Sequence, residues 1–146
     1  MNIDSINRGI VLDHIRAGRS MDIYKYLHLD ELTCSVAIIK NVKSGQMGRK
    51  DIIKIDSLIP IDLDILGYID PNVTVNVIRD EQLVEKKRLS LPERVVNVIR
   101  CKNPRCITQI EQEIEHVFFL ADREKGTYRC LYCETAHKPE DQPDFS

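Results

Sequence analysis

The chain has 146 residues, 42% of them apolar and 30% charged, and its 23 acidic side chains nearly balance 21 basic ones. That is the composition of a folded protein, not a disordered one, and a net charge of -2 supplies no global positive field for a nucleic acid or an anionic membrane. Met1-Asn2-Ile3-Asp4-Ser5 does not open a basic and then apolar leader, and no run reaches bilayer length, so a cytoplasmic protein with reduced thiols is expected.

In chain order, Arg8 to Asp13 reads as a strand. Ser20 to Leu29 reads as a helix, with Met21, Tyr24 and Leu27 on one stripe and Asp22 near the positive end of its dipole. Thr33 to Val42 is β-branched and apolar enough for a strand, with Cys34 as a small core residue within it. After the turn Ser44-Gly45-Gln46-Met47-Gly48, a strand from Lys50 to Asp56 completes a hairpin. The turn is not a phosphate loop, because it lacks the spacing and the following Ser or Thr and precedes a strand. Asp62 to Tyr68 reads as a second helix, with Leu63, Leu66 and Ile69 at helical spacing and Asp70-Pro71 ending it. Val73 to Arg79 and Leu83 to Arg88 read as strands joined by Asp80-Glu81-Gln82.

This order predicts an α+β fold, a ferredoxin-like antiparallel sheet with two helices on one face. Leu89-Ser90-Leu91-Pro92-Glu93-Arg94 interrupts the strand-like runs, so the expected domains are 1–92 and 93–146. The second segment is too short to bury a sufficient core by itself, the situation in which a metal staple is needed.

The cysteines fall in that segment. Cys101 and Cys106 form one close pair, and Cys130 and Cys133 another, each able to present two sulfurs from a tight turn. Together they predict a closed tetrahedral zinc site in a small all-β domain, with Val95 to Ile99 and Thr127 to Arg129 as strands running into the two knuckles. Four thiolates leave no open position for a hydrolytic water, so the predicted zinc is structural. A redox role for Cys130 and Cys133 leaves the first pair unexplained. His28, His116 and His137 stand alone among charged neighbours and read as surface or packing residues.

On a strand from Lys50 to Asp56, Lys50, Ile52 and Lys54 share one face and Asp51, Ile53 and Ile55 the other. The two lysines would stand about 13 Å apart, compatible with a polyphosphate and equally with a solvated face whose lysines discourage edge pairing. Asp13-His14 offers an adjacent acceptor and switchable donor, and Lys86 lies on the last strand of the domain. Spacing leaves both readings open. A zinc-ribbon nucleic-acid-binding protein is the alternative function: Lys102, Arg105, Arg123, Lys125 and Arg129 would meet phosphate, against the neighbouring Glu111, Glu113, Glu115, Asp122 and Glu124.

Three strings carry a family likeness. Arg8-Gly9-Ile10-Val11-Leu12-Asp13-His14-Ile15, then Ser44-Gly45-Gln46-Met47-Gly48-Arg49-Lys50-Asp51-Ile52-Ile53-Lys54-Ile55, and Ser90-Leu91-Pro92-Glu93-Arg94 ahead of the four cysteines resemble the regulatory chains of aspartate carbamoyltransferase. The resemblance covers nearly the whole chain. It implies a non-catalytic chain in pyrimidine biosynthesis, with an N-terminal nucleotide-effector domain and a C-terminal zinc domain that docks on the catalytic chain. It further implies homodimers of regulatory chains that tie catalytic trimers into a larger hetero-oligomer, with CTP inhibiting, ATP opposing it and UTP assisting CTP.

By matching position, the resemblance assigns Asp13, His14, Lys54 and Lys86 to the polar core of the effector site, and Lys50 and Asn76 to its periphery. Ile6, Val11, Ile52, Ile78 and Leu83 would wall the base and ribose, and the backbone around Ile3, Asp4 and Ser5 would read the base edge. Glu81 departs from the pattern, which has an aromatic residue near the sugar. Asn103 and Glu134 match interface positions of the knuckles, whereas Arg105 replaces a small polar residue.

Overall fold

The structure, a computed structural model, describes residues 7–139, and these divide between Ser90 and Leu91 into two units. In the first unit, β1 (Gly9–Arg16), β2 (Val36–Ser44), β3 (Gly48–Ile55), β4 (Thr74–Arg79) and β5 (Gln82–Arg88) form one antiparallel sheet in the order β2-β3-β1-β4-β5. The helices α1 (Ser20–Tyr26) and α2 (Leu63–Ile69) complete the expected ferredoxin-like order, with β5 added at one edge.

Strand alternation decides which face is covered. Ile10, Leu12, Ile53, Ile55 and Val75 are buried in one core with Ile23 of α1 and Leu66 of α2. Each such side chain contributes about 1.5 to 3 kcal/mol when fully buried. Lys50, Ile52 and Lys54 lie on the opposite, outer face, as the alternation requires. Helix α2 starts on Asp62, whose side chain accepts from the N–H groups of Asp64 and Ile65, both at 3.1 Å.

Helix α1 differs from expectation. It ends at Tyr26, because His28 adopts a left-handed conformation and starts a 3-10 turn over Leu29–Glu31. Ile23 is its fully buried apolar residue, with Tyr24 and Leu27 partly buried, whereas Met21 is 41% exposed. Cys34 precedes β2 instead of lying within it, and packs against the core from there.

Two bulges flank β3. In β1 the register against β3 shifts between Leu12 and Ile15, where His14 has φ 58°. In β2 it shifts between Ile39 and Val42, where Asn41 has φ 62°. An inserted residue resets the alternation. Leu12 and Ile15 are therefore both fully buried although three positions apart, and Asp13 and His14 between them both reach partners on the outer face.

In the second unit, β6 (Arg94–Val96), β7 (Val117–Asp122), β8 (Thr127–Cys130) and β9 (Ala136–His137) form a four-stranded antiparallel sheet in sequence order. The expected strand from Val95 to Ile99 stops at Val96, because Asn97 is left-handed. A four-residue helix, α3 (Ile107–Ile110), follows the first knuckle. Val95, Val98, Ile99, Phe118 and Tyr128 are buried, and the Tyr128 hydroxyl donates to the Pro92 carbonyl at 2.5 Å. No helix among the described residues is long and apolar enough to cross a membrane.

Candidate metal centre and effector face

The first knuckle is closed by backbone geometry. Asn103 accepts from Cys106 N–H through its carbonyl (3.0 Å) and from Arg105 N–H through its side chain (3.0 Å), folding Cys106 back toward Cys101. The second is closed by Glu134, left-handed at φ 62°, whose N–H donates to the Cys130 carbonyl at 2.9 Å, while Cys130 N–H donates to the Thr135 carbonyl. Arg129 donates to the Glu134 carbonyl at 2.9 Å and holds that turn from outside.

These turns bring the sulfurs of Cys101, Cys106, Cys130 and Cys133 within 4.8 Å of one another, with Cys101 to Cys133 at 3.5 Å and Cys106 to Cys130 at 3.7 Å. A tetrahedral ion with metal–sulfur bonds of about 2.3 Å separates its sulfurs by about 3.8 Å, so the donor set fits. Three of the four are buried, and hydroxyls support them: Thr108 donates to Cys106 Sγ at 3.1 Å, and Thr135 lies 3.1 Å from Cys133 Sγ. Cys101 N–H donates to His116 Nδ1 at 3.2 Å, and the Gln109 amide donates to the Cys101 carbonyl. His116, half-buried, thus supports the first knuckle as a packing residue, one of the two roles expected of it.

Burial pushes the Cys101 thiol up to about 12 and raises Cys130 as well. At Cys133 burial also raises, but the hydroxyl and N–H of Thr135, then Asn103 and Cys101, outweigh it and bring the thiol down to about 6. The raised thiols of Cys101 and Cys130 must lose their protons before the cluster binds as four thiolates, and a divalent cation supplies the field for that.

On the outer face of the first unit, pairing across the sheet aligns the candidates. Lys54 faces Val11, Val11 faces Asn76, and Asn76 faces Lys86, so one row of side chains crosses β3, β1, β4 and β5. Three strand spacings put its ends about 14 Å apart. The Asn76 amide donates to the Val11 carbonyl at 3.3 Å and is fixed in place. The next row places Asp13 opposite Thr74 and Thr74 opposite Arg88.

The remaining candidates gather beside that second row. Lys50 Nζ lies 2.9 Å from Asp13 Oδ1, and His14 Nδ1 lies 3.0 Å from the Thr74 hydroxyl. Partial burial opposes ionisation of Asp13, but the hydrogen bond from Lys50, then the His14 N–H and the Lys50 charge, hold its carboxyl below its ordinary value. Lys54 and Lys86 make no ion pair among the described residues.

A cavity of about 460 Å³ is lined by His14, Lys86 and Arg88 together with Gln46, Met47 and Thr74. Arg88 is the residue sequence reasoning missed. It lies two positions beyond Lys86 on the same strand face, so extending the period-2 argument would have found it. Val11, Ile52, Ile78 and Leu83 share the outer face by register, and Ile3, Asp4, Ser5 and Ile6 lie outside the described residues. Glu81 sits left-handed in the β4–β5 turn, and its N–H donates to the Asn7 carbonyl at 2.9 Å.

Two family models cover the two units in turn. Residues 1–90 match the allosteric domain of the aspartate carbamoyltransferase regulatory chain, and residues 93–142 match the metal binding domain of the same chain. The chain belongs to the family of aspartate carbamoyltransferase regulatory chains. It is 52% identical over 134 residues to the regulatory chain of Clostridium botulinum strain Hall, covering 92% of each. To that of Clostridium tetani it is 52% identical over 139 residues, covering 94% of this chain and 96% of the relative. To that of Bifidobacterium longum it is 44% identical, covering 94% and 99%. It is accordingly a non-catalytic chain with an allosteric domain and a metal-binding domain.

Proposed function

We propose that this chain binds nucleoside triphosphates, CTP and ATP with UTP assisting CTP, on the outer face of its first unit, and that it thereby controls an aspartate carbamoyltransferase catalytic chain in cytoplasmic pyrimidine biosynthesis. The observation that carries the reading is the row Lys54–Val11–Asn76–Lys86: cations at both ends, an apolar and an amide side chain between them, and a cavity opening beside Lys86. Lys54 and Lys86 are the triphosphate partners. Asp13, His14, Lys50 and Asn76 complete the polar set, and Val11, Ile52, Ile78 and Leu83 face the base and ribose.

In this reading Cys101, Cys106, Cys130 and Cys133 hold one structural Zn²⁺. The spacing of four sulfurs and the closed tetrahedron favour zinc over harder cations that prefer oxygen. The knuckles, with Asn103 and Glu134, present the second unit to the catalytic chain. Regulatory chains pair through their first units within the hetero-oligomer. A nucleotide shifts the quaternary equilibrium by no more than its differential affinity for the two states, typically about 1 to 3 kcal/mol.

Calorimetric titration of CTP and ATP into the zinc-loaded chain tests the reading. Saturable binding that Lys54→Ala weakens about ten- to a hundredfold, and nucleotide-dependent activity after reconstitution with a catalytic chain, are expected. No binding by the wild-type chain in either setting would overturn it.

A further inference from the structure

We propose that Asp51 is a positioning residue for the effector face: from the opposite side of β3 it fixes the β1 bulge that turns Asp13 and His14 outward together. The proposal rests on the effector reading above, but its structural half stands independently of any nucleotide.

Asp51 is fully buried, immediately after Lys50 in a regular strand, and it faces Ile15 in β1 just past the bulge. Its Oδ2 accepts from Gly18 N–H (3.1 Å), Ser20 N–H (3.3 Å) and the Ser20 hydroxyl (2.6 Å), while Oδ1 accepts from Asn41 N–H (2.8 Å). One carboxylate therefore ties the loop leaving β1, the start of α1 and the bulge of β2 to β3. Burial opposes its ionisation, yet the Ser20 hydroxyl and the N–H groups of Asn41, Gly18 and Ser20 outweigh that and lower its pKa. The group stays charged, so all four hydrogen bonds are charge-assisted.

What this holds in place is visible in β1. Strict alternation after Ile10 and Leu12 would send His14 into the core and Ile15 outward. The inserted residue, with His14 left-handed, reverses that and leaves Asp13 on Lys50 and His14 on Thr74. A left-handed histidine is disfavoured and persists where its surroundings over-determine it. Asp51 anchors the chain immediately after the bulge from the β3 side. On the β4 side, buried Asp70 accepts from Arg16 N–H at 2.7 Å.

The test compares zinc-loaded full-length wild type with Asp51→Asn, and with Ile53→Val as a core variant that lowers stability without touching this network. Asp51→Asn replaces one acceptor oxygen by a donor that faces N–H groups. CTP affinity is expected to fall about tenfold in Asp51→Asn, the scale of one charge-assisted hydrogen bond, and to stay unchanged in Ile53→Val. Without nucleotide, the His14 ring resonances are expected to move and the His14–Thr74 contact to disappear from nuclear Overhauser spectra in Asp51→Asn only. If Asp51→Asn does not fold, Ser20→Ala removes the shortest of the four bonds and is expected to show the same changes at smaller amplitude. An unchanged His14–Thr74 contact overturns the proposal. Absence of CTP and ATP binding in the wild type overturns the effector reading, and the nuclear Overhauser comparison then still decides whether Asp51 sets the bulge.

Discussion

Lys54 and Lys86 stand at opposite ends of a single row of side chains that crosses four strands, with Val11 and Asn76 between them. Such an arrangement holds two ammonium groups, neither in an ion pair among the described residues, on one sheet face, each able to meet a different part of one extended polyanion. Lys54→Ala and Lys86→Ala are therefore each expected to weaken CTP and ATP binding about ten- to a hundredfold, the scale of a hydrogen bond between charged groups. Both losses are expected to shrink as salt is raised. Titration at low and high ionic strength checks this, and a variant that binds as the wild type does at low salt would remove its lysine from the site.

The two outer-face and inner-face carboxylates give the first unit an acid limit. Asp13 and Asp51 both titrate below the ordinary value of 3.8 in the folded chain. A depressed folded pKa means the unfolded state takes up the proton first, so the stabilisation is complete above the unfolded value and is lost as pH falls through the folded one. The stability difference between wild type and Asp51→Asn, followed by urea unfolding of first-unit resonances, is expected to be constant from about pH 7 to pH 5 and to narrow below about pH 4. A difference that persists undiminished well below that range would show that the carboxylate charge contributes nothing.

Metal removal should act on one unit only. The second unit has a small core, Val95, Val98, Ile99, Phe118 and Tyr128, around the four cysteines, and binding energy at such a site is folding energy of about 10 to 16 kcal/mol in zinc-finger peptides. Chelation at neutral pH, or Cys106→Ser, is expected to collapse the dispersed resonances of Val95 and Tyr128 while those of Leu12 and Ile53 stay in place. Acid should release the metal too, because protons compete for the thiolates. Retention of second-unit dispersion after complete chelation would show that the four cysteines are not its staple.

How far the residues announced this structure follows from which signals are periodic. Lys50, Ile52 and Lys54 against Asp51, Ile53 and Ile55 is a period-2 pattern, and it placed both faces of β3 correctly. The cysteine pairs were legible because ligand spacing is a local property. The bulge at Asp13-His14 was not, since one inserted residue leaves no compositional mark and histidine is an uncommon choice for a left-handed site. Strand β7 escaped because Val117-Phe118-Phe119-Leu120-Ala121 is a continuous apolar run, which does not distinguish helix from strand. Helix α3, with four residues, is shorter than the period that would reveal it.

The clamp on Pro92 is testable by a single atom. Tyr128 is fully buried and its hydroxyl donates to the Pro92 carbonyl, while Arg123 donates to the Leu91 carbonyl at 2.9 Å. Both bonds fasten the entry of the second unit to the β7–β8 hairpin. Tyr128→Phe keeps the ring and leaves that carbonyl without its partner, which costs about 1 to 3 kcal/mol for a buried group. Calorimetric unfolding of the zinc-loaded chain is expected to show a lowered transition for the second unit, and an unchanged transition would mean that water replaces the hydroxyl at no cost.

Gly67 in α2 shows why the end of the first unit has little room to move. A Cβ added there would lie 2.5 Å from the Ser90 carbonyl oxygen and 3.7 Å from Leu89 Cβ. The obstacle is backbone, which cannot swing aside as the end of a flexible side chain would. Gly67 has no need of a left-handed conformation, so the alanine is excluded by contact alone, and its better helix propensity offsets about 1 kcal/mol of the clash. Overpacking of this kind costs about 1 to 3 kcal/mol, so Gly67→Ala is expected to destabilise the first unit by up to about 2 kcal/mol net. It should also move Ser90 away from α2, raising amide exchange at Leu89 and Ser90 while exchange at Leu12 in the sheet follows only the change in global stability. Were Gly67→Ala to stabilise the unit instead, helix propensity would outweigh the contact and the segment at Ser90 would have to yield easily.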